Sequence, residues 1–287
     1  MTEEEKNRQD PEVACYCERP ELKRKETGIS YLRKTGYEKL DLYLPEEGNG
    51  PFPVLIDVHG GGWFYGTRSS RRLDPVLEGL KRGYAVASVD YTLSGAAKFP
   101  TQVYELKAAV RFLREHATRY LLDPDRIGMW GLSAGANLAM LAAFSAAAGE
   151  LEDEGGGIGF PISDRIQALA ALYGPTDLTI SEGCHAASME SLFLGCIPRE
   201  NPELARKANP CTYVTKDAPP CFLQYGDADE LVVPEHGFAV RDALQSVRTD
   251  GDWFEIVHGA GHADARFRTQ ENTEKIFRFF DAHLKGI

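Results

Sequence analysis

The chain has 287 residues, of which 43% are hydrophobic and 26% are charged, proportions that are ordinary for a folded globular protein. Many α/β proteins of this length form a single domain, so a folded α/β domain with a sizeable core is the default expectation. The formal net charge of −11 argues against nucleic acid and anionic membrane surfaces as partners.

The N-terminal 20 residues contain no apolar stretch typical of a signal peptide, and no apolar run approaches the ~18 residues of a membrane span. Six cysteines are scattered along the chain, at Cys15, Cys17, Cys184, Cys196, Cys211 and Cys221. This pattern predicts reduced thiols and a cytoplasmic location. No second Cys/His pair at zinc spacing accompanies Cys15-x-Cys17, so we predict no metal.

Residues 1–20 are predicted to form a loosely held arm, helical in part. The stretch 29–46 alternates apolar and polar residues around Thr35-Gly36, which predicts an antiparallel hairpin. The short basic run Arg68–Arg72 is predicted to be a solvated face.

Strand and helix patterns then alternate along the chain. In chain order we predict a strand at 53–60, a helix at 69–82, a strand at 84–91, a helix at 99–116, a strand at 126–131, a helix at 134–148, a strand at 166–174, a strand at 221–226, a helix at 234–247, a strand at 253–259 and a helix at 272–284. The acidic, glycine-rich stretch 150–164 is predicted to be mobile. Residues 176–215 show no clean period and are predicted to be an insertion over the sheet edge.

This alternation predicts an α/β fold of three layers, with a central, mostly parallel sheet and the antiparallel hairpin at one edge. The fold would occupy residues 21–287 as one domain. Reactive groups gather at the carboxyl ends of the strands in such sheets. Four loops should therefore meet there, after His59, Gly131, Gly226 and Val257.

The stretch Gly131-Leu-Ser-Ala-Gly135 lies between a predicted strand and a predicted helix, the context of a nucleophile elbow. Glycines without a Cβ permit the sharp turn, which presents the hydroxyl of Ser133 above the sheet at a helix N-terminus. A plain strand–helix turn with Ser133 as the N-cap would explain the same residues. The setting favours Ser133 as a catalytic nucleophile.

The stretch HGGGW begins at His59, directly after a predicted buried strand. Consecutive glycines let backbone N–H groups approach an oxyanion, and each such donor lowers an acyl-transfer barrier by ~3 kcal/mol. We predict an oxyanion hole made by the N–H groups of Gly61, Gly62 and Ala134. Trp63 and Tyr65 are predicted to line the substrate pocket, whereas core packing explains Phe64 equally well.

Among the seven histidines, only His262 lies in a glycine-flanked loop at the predicted carboxyl edge, so it is the predicted general base. His59 is expected to order the oxyanion loop, and His258 to face the core. The remaining histidines are expected to be solvated, namely His116, His185, His236 and His283.

Three acids follow the strand 221–226, and one of them should orient the imidazole. The candidates are Asp227, Asp229 and Glu230; Asp229 is preferred because it lies one turn beyond the strand end, and Asp227 is the runner-up. The chain order Ser133, Asp229, His262 is that of α/β-hydrolases rather than of the other serine hydrolases.

Together these motifs resemble the α/β-hydrolase superfamily, and more narrowly the HGGG-type esterases of the hormone-sensitive-lipase group and the bacterial carbohydrate (feruloyl or acetyl) esterases. The motifs HGGGW, GLSAGANLA, YGPTDL, GDADELVVP and GAGHAD follow the family order from about Tyr37 to the C-terminus. The resemblance implies a Ser–His–Asp triad with Asp229 as its acid, and no cofactor.

The short, acidic N-terminal arm departs from the larger lipases, because it shows no strong helical cap. The acyl pocket is then expected to be framed by the insertion 176–215. We therefore predict a serine carboxylesterase acting on small or sugar-linked esters with short acyl groups, such as acetyl or feruloyl, and no long-chain lipid substrate. The sequence leaves a homodimer open.

Two alternatives share this fold. A serine peptidase or amidase would use the same residues, although no propeller domain typical of an oligopeptidase is evident. A non-catalytic ligand-binding member of the fold would not need Ser133 and His262, and both are present.

Overall fold

The computed structural model describes residues 10–32, 35–153, 161–180 and 185–287. Within these ranges eight strands form one sheet, in the order β1-β2-β4-β3-β5-β6-β7-β8. The strands are β1 Lys25–Ser30, β2 Lys39–Tyr43, β3 Phe52–Val58, β4 Ala85–Val89, β5 Leu122–Leu132, β6 Ala168–Leu172, β7 Cys221–Gly226 and β8 Trp253–Val257. The pairs β1–β2 and β2–β4 are antiparallel and all others are parallel. The predicted α/β class, with an antiparallel N-terminal hairpin, is confirmed.

Helices connect the parallel strands and cover both faces of the sheet. They are α1 Pro11–Ala14, α2 Asp74–Leu77, α3 Thr101–Glu115, α4 Ala117–Tyr120, α5 Ala134–Ala148, α6 Met189–Leu194, α7 Pro202–Lys207, α8 Glu235–Gln245 and α9 Gln270–Phe280. Short 3-10 turns lie at Arg71–Leu73, Glu78–Arg82, Pro198–Glu200, Pro210–Tyr213 and Ala265–Arg268, and a π turn at Asp281–Lys285 follows α9.

Side chains alternate between two cores along the central strands, as a period of two requires. On β3, Val54 and Ile56 belong to the core that contains α3 and α5, whereas Leu55 belongs to the core that contains α9. Helix α5 is rich in alanine and almost wholly buried, so it can pack close to the sheet. This packing fixes the start of α5, where Ser133 lies.

The helix predicted at 69–82 is largely wrong. Only α2 is α-helical there, with 3-10 turns on either side of it. Pro75 lacks the N–H that would extend a helix from the residues before it, and Gly79 has low helix propensity. The basic run is not a solvated face either, because the side chains of Arg68 and Arg72 are only 14% and 8% exposed.

The prediction of a loosely held arm fails for residues 10–20, the part of the arm within the described ranges. The guanidinium of Arg19 is buried and donates to Ser69, to the carbonyl of Ser70 and to Asp74. The N–H of Cys17 donates to the carbonyl of Ser69 at 2.7 Å. Buried hydrogen bonds therefore fasten this segment to the loop after β3.

The stretch predicted to be mobile, 150–164, falls partly outside the described residues, which omit 154–160. Its described flanks are tied to α3. Lys107 pairs with Glu152 at 2.6 Å, and Arg111 pairs with both Glu152 and Asp164 at 2.6 Å. These flanks are held by paired charges.

The insertion 176–215, described except for 181–184, contributes α6, α7 and two 3-10 turns. Phe193 of α6 stacks on Trp63, with ring centroids 4.5 Å apart. The insertion therefore lies against the loop that follows β3, at the carboxyl edge of the sheet. The loops after β3, β5, β7 and β8 meet at that edge, as predicted.

Candidate active site

Ser133 lies at the turn between β5 and α5, in a backbone conformation that L-residues rarely adopt, with φ 52° and ψ −123°. Such strain costs of the order of 1–3 kcal/mol and collects at functional sites. A Cβ at Gly135 would overlap the carbonyl oxygens of Val58 and His59, and one at Gly131 would lie 2.6 Å from the oxygen of Gly135. The glycines therefore permit the close approach of strand and helix that the sequence predicted.

The structure brings Ser133, His262 and Asp229 together from three loops. The hydroxyl oxygen of Ser133 is 2.9 Å from Nε2 of His262, and Nδ1 of His262 is 2.8 Å from Oδ2 of Asp229. The other carboxylate oxygen, Oδ1, accepts from the N–H groups of Leu231 and Val232 at 2.9 and 2.8 Å. Because a carboxylate accepts, Nδ1 donates to it, and Nε2 is left to accept the proton of the serine hydroxyl.

The acid that meets His262 is Asp229 and neither of the alternatives. Asp227 binds Nδ1 of His258 at 2.8 Å and the N–H of Gly259 at 2.6 Å, on the surface. Glu230 is exposed at the rim of the cleft. The side chain of Asp229 is fully buried, whereas that of Asp227 is 41% exposed.

Two predictions about histidines are wrong. The side chain of His258 is 88% exposed and does not face the core. His236 is fully buried rather than solvated, and its Nδ1 accepts the N–H of Thr176 at 3.0 Å. Burial lowers the pKa of His236 to about 4, so its imidazole is neutral. Of the other predicted solvated histidines, His185 and His283 are exposed and His116 is half-buried.

The HGGGW loop turns sharply beside Ser133. Gly61, Gly62 and Trp63 have φ values of 112°, 57° and 58°. The carbonyl of Gly61 accepts from the N–H groups of Phe64 and Tyr65, which closes the turn. Within the described part of the chain, the N–H groups of Gly61, Gly62 and Ala134 donate to no protein acceptor. All three predicted donors therefore remain available to a ligand.

His59 helps to order this loop, as expected. Its ring stacks on Tyr91 at 4.4 Å, and its Nδ1 lies 2.7 Å from the carbonyl oxygen of Gly60, to which it donates. Burial lowers the pKa of His59, so the ring is neutral. A neutral donor orders the loop without adding a charge beside the Ser133 hydroxyl.

Two residues to which the sequence analysis assigned no role in the site contact the loop of His262. The ring of Tyr173 meets the ring of His262 edge-on at 5.2 Å, and burial raises the pKa of Tyr173 to about 12. Arg72 donates from Nη1 to the carbonyl oxygen of Ala263 at 3.2 Å. Tyr173 begins the YGPTDL motif, which could have pointed to it, whereas no local pattern marks Arg72.

A cleft of about 1240 Å³ opens above Ser133. Trp63 and Tyr65 are among the residues that line it, whereas Phe64 is not. The insertion contributes Ile180, Ser188, Met189 and Glu190, so it frames the cleft. The arm contributes Asp10 and Val13 to the lining. Further acidic side chains in the lining are Asp227, Asp229, Glu230 and Glu235.

Within the described ranges, no group of three or more His, Cys, Asp or Glu side chains is arranged to hold a metal ion. The five cysteines outside the gaps are free thiols, and Cys184 lies outside the described residues. Among the helices described, none has the length and apolar character that crossing a membrane requires.

The family model BD-FAE matches residues 40–244, well over half of the chain. This chain belongs to the BD-FAE family. The BD-FAE match includes Ser133 and Asp229 but ends before His262. It begins after the arm and the first strand of the hairpin.

Among curated proteins, esterase LipQ of Mycobacterium tuberculosis is 34% identical over 215 residues, which cover 74% of this chain and 50% of LipQ. The chain spans about half the length of the curated relatives that it matches. Among solved structures, a bifunctional GH43-CE protein of Bacteroides eggerthii has a TM-score of 0.81 and 29% identity, covering 90% of this chain and 38% of that one. A truncated carbohydrate esterase from gut microbiota has a TM-score of 0.81 and 26% identity, covering 92% and 97%. The α/β-hydrolase esterase resemblance is confirmed.

Proposed function

We propose that this protein is a serine carboxylesterase, with Ser133 as nucleophile, His262 as general base and Asp229 as the acid that orients it. The observation that carries the proposal is the unbroken chain of hydrogen bonds from Ser133 through His262 to buried Asp229. It lies beside the N–H groups of Gly61, Gly62 and Ala134, which have no protein acceptor in the described ranges. The names of LipQ and of the carbohydrate esterase support the same activity.

In the first half-reaction the Ser133 hydroxyl attacks the ester carbonyl while Nε2 of His262 takes its proton. Asp229 stabilises the resulting imidazolium and keeps Nδ1 protonated. The N–H groups of Gly61, Gly62 and Ala134 hold the oxyanion of the tetrahedral intermediate. His262 then returns the proton to the leaving alcohol, and an acyl-enzyme forms on Ser133. Water releases the acid by the same steps.

We propose short acyl groups on a sugar or another small alcohol as the substrate class. Small-molecule sites usually measure 300–1,000 Å³, so a cleft of about 1240 Å³ is larger than an acetyl ester of a simple alcohol needs. Its carboxylates and the hydroxyl of Ser188 suit hydrogen bonds to a hydroxyl-rich alcohol. Beside the HGGGW loop, the side chain of Met189 packs against Gly62 and limits the room for a long acyl chain.

The test is hydrolysis of p-nitrophenyl acetate by Ser133→Ala, with Ser246→Ala as a control on an exposed serine. We expect the first variant to lose roughly 10⁶-fold in kcat with its fold intact, because loss of the nucleophile removes the covalent pathway. The control should retain wild-type turnover. Turnover retained by Ser133→Ala would reject the assignment.

The same preparation separates the alternatives. A fluorophosphonate probe should label Ser133 in the wild type, whereas a non-catalytic ligand-binding protein would stay unlabelled. Faster turnover of an aminoacyl-amide than of the matched ester would instead indicate a peptidase or amidase.

A further inference from the structure

One residue of the N-terminal arm reaches both sides of the cleft. The N–H of Asp10 donates to the hydroxyl of Tyr65 at 3.3 Å. Tyr65 closes the turn that contains Gly61, since its own N–H donates to the Gly61 carbonyl at 3.1 Å. On the other side, Oδ2 of Asp10 accepts from Nη2 of Arg72 at 2.7 Å. Asp10 therefore contacts Tyr65, which closes the turn of the HGGGW loop, and Arg72 at the same time.

Arg72 extends this contact to the loop of the proposed base. Its second terminal nitrogen, Nη1, donates to the carbonyl oxygen of Ala263 at 3.2 Å. Ala263 directly follows His262 and has a φ of 55°, a conformation that persists only where its surroundings hold it. A guanidinium is planar and rigid, so the two contacts fix Ala263 relative to Asp10.

Asp10 is itself held in place. Its Oδ1 accepts the N–H of Glu12 at 2.9 Å and caps α1, and Glu12 adds a second carboxylate to Arg72 at 3.2 Å. The position of Asp10 is thus set by its contacts with Glu12 and Arg72, in a segment that lies before the residues that the family model matches.

We propose that Asp10 is a positioning residue of the esterase site. Through Tyr65 and Arg72 it holds the HGGGW loop and the loop of His262 at a fixed separation across the cleft. This inference rests on the proposed function, and it assigns to the arm a role that the matched region does not contain.

The main test compares Asp10→Asn and Arg72→Lys with the wild type on p-nitrophenyl acetate. Asparagine keeps the size and the capping oxygen of Asp10 but loses its charge, and one ammonium of lysine cannot make both contacts of Arg72. We expect kcat to fall roughly tenfold, less than the ~100-fold that a 1 Å misplacement costs. KM for this small ester should change by less than about twofold, because the lost effect is on orientation.

The double variant and one control sharpen the test. Because Asp10 and Arg72 act in one chain of contacts, kcat of the double variant should be no lower than kcat of the less active single variant. Asp74→Asn breaks the ion pair that anchors the same arm away from the cleft, at a side chain that is 63% exposed. It should leave kcat unchanged.

A second measurement does not depend on turnover. Hydrogen exchange of peptides that cover residues 259–264 should be faster in Asp10→Asn than in the wild type and in Asp74→Asn. Unchanged exchange, or a change confined to KM or to thermal stability, would overturn the positioning role. Absence of Ser133-dependent turnover in the wild type would instead contradict the proposed function, and the exchange comparison would still decide the inference.

Discussion

Nε2 of His262 lies 2.9 Å from the hydroxyl oxygen of Ser133, although 129 positions separate the two residues in the chain. Ser133 is held by the turn between β5 and α5, and His262 by the loop after β8. Two strands, β6 and β7, lie between those elements in the sheet. The contact therefore depends on how the loops fold back over the carboxyl edge of the sheet.

The roles of the two aspartates after β7 can be separated by substitution. Asp229→Asn should lower kcat for p-nitrophenyl acetate by roughly 10⁴-fold, because an amide in place of the carboxylate favours the wrong tautomer of His262. Asp227→Asn should change kcat by less than about tenfold, since Asp227 binds His258 on the surface and does not touch His262. The reverse ranking would move the orienting role to Asp227.

The close approach at the start of α5 predicts a large loss of stability in Gly135→Ala. The added Cβ would overlap the backbone oxygens of Val58 and His59, which cannot rotate away. We expect the free energy of unfolding in urea to fall by about 3 kcal/mol or more. Gly95→Ala is the matched control, since its Cβ would meet only the ring of Phe64 at 3.7 Å. Equal stability of the two variants would contradict this packing argument.

Acyl selectivity should depend on Met189. A Cβ at Gly62 would lie 3.0 Å from Cγ of Met189. The side chain of Met189 therefore fills the space beside the HGGGW loop. In the wild type we expect turnover to fall from acetyl through butyryl to octanoyl esters of p-nitrophenol. Met189→Ala should raise the octanoyl-to-acetyl ratio of kcat/KM by roughly tenfold, the usual effect of one or two methylenes in a pocket.

Octanoyl esters preferred over acetyl esters by the wild type would contradict the small acyl pocket. An unchanged ratio in Met189→Ala would place the acyl chain elsewhere in the cleft.

The buried imidazole of His236 predicts a loss of stability in acid. Its pKa is about 4 in the folded protein, lowered by burial, against about 6.5 in an unfolded chain. Below about pH 6.5 the unfolded chain therefore binds a proton that the folded protein does not, so the free energy of unfolding falls until about pH 4. The contribution of this residue is on the order of 3 kcal/mol.

Urea unfolding at pH 7, 5.5 and 4.5 checks this, with His236→Gln for comparison. The variant should be less stable at pH 7, because the contact with Thr176 is weakened, and should lose less stability than the wild type on acidification. Parallel pH dependence of the two proteins would assign the acid sensitivity to other groups.

The parallel sheet and the positions of most elements could be predicted from the sequence, because they follow from local patterns. Runs of apolar residues predicted the buried strands, and α5 begins and ends at the predicted residues. The helix predicted at 69–82 failed because Pro75 and Gly79 favour tighter turns. His236 was misjudged because its position in α8 looked exposed, whereas the segment that follows β6 covers it.

By itself, the sequence determined the order of the chemical groups and the glycines that let them approach. The motifs around Ser133, Gly61 and His262 each depend on a few neighbouring residues, so they can be recognised without a fold. Only the tertiary structure decided that Asp229 meets the imidazole while Asp227 faces solvent, and that Asp10 and Arg72 contact the two loops. The reason is physical: Arg72 and Ala263 are 191 positions apart, and such contacts are set by packing between distant segments, which no local pattern encodes.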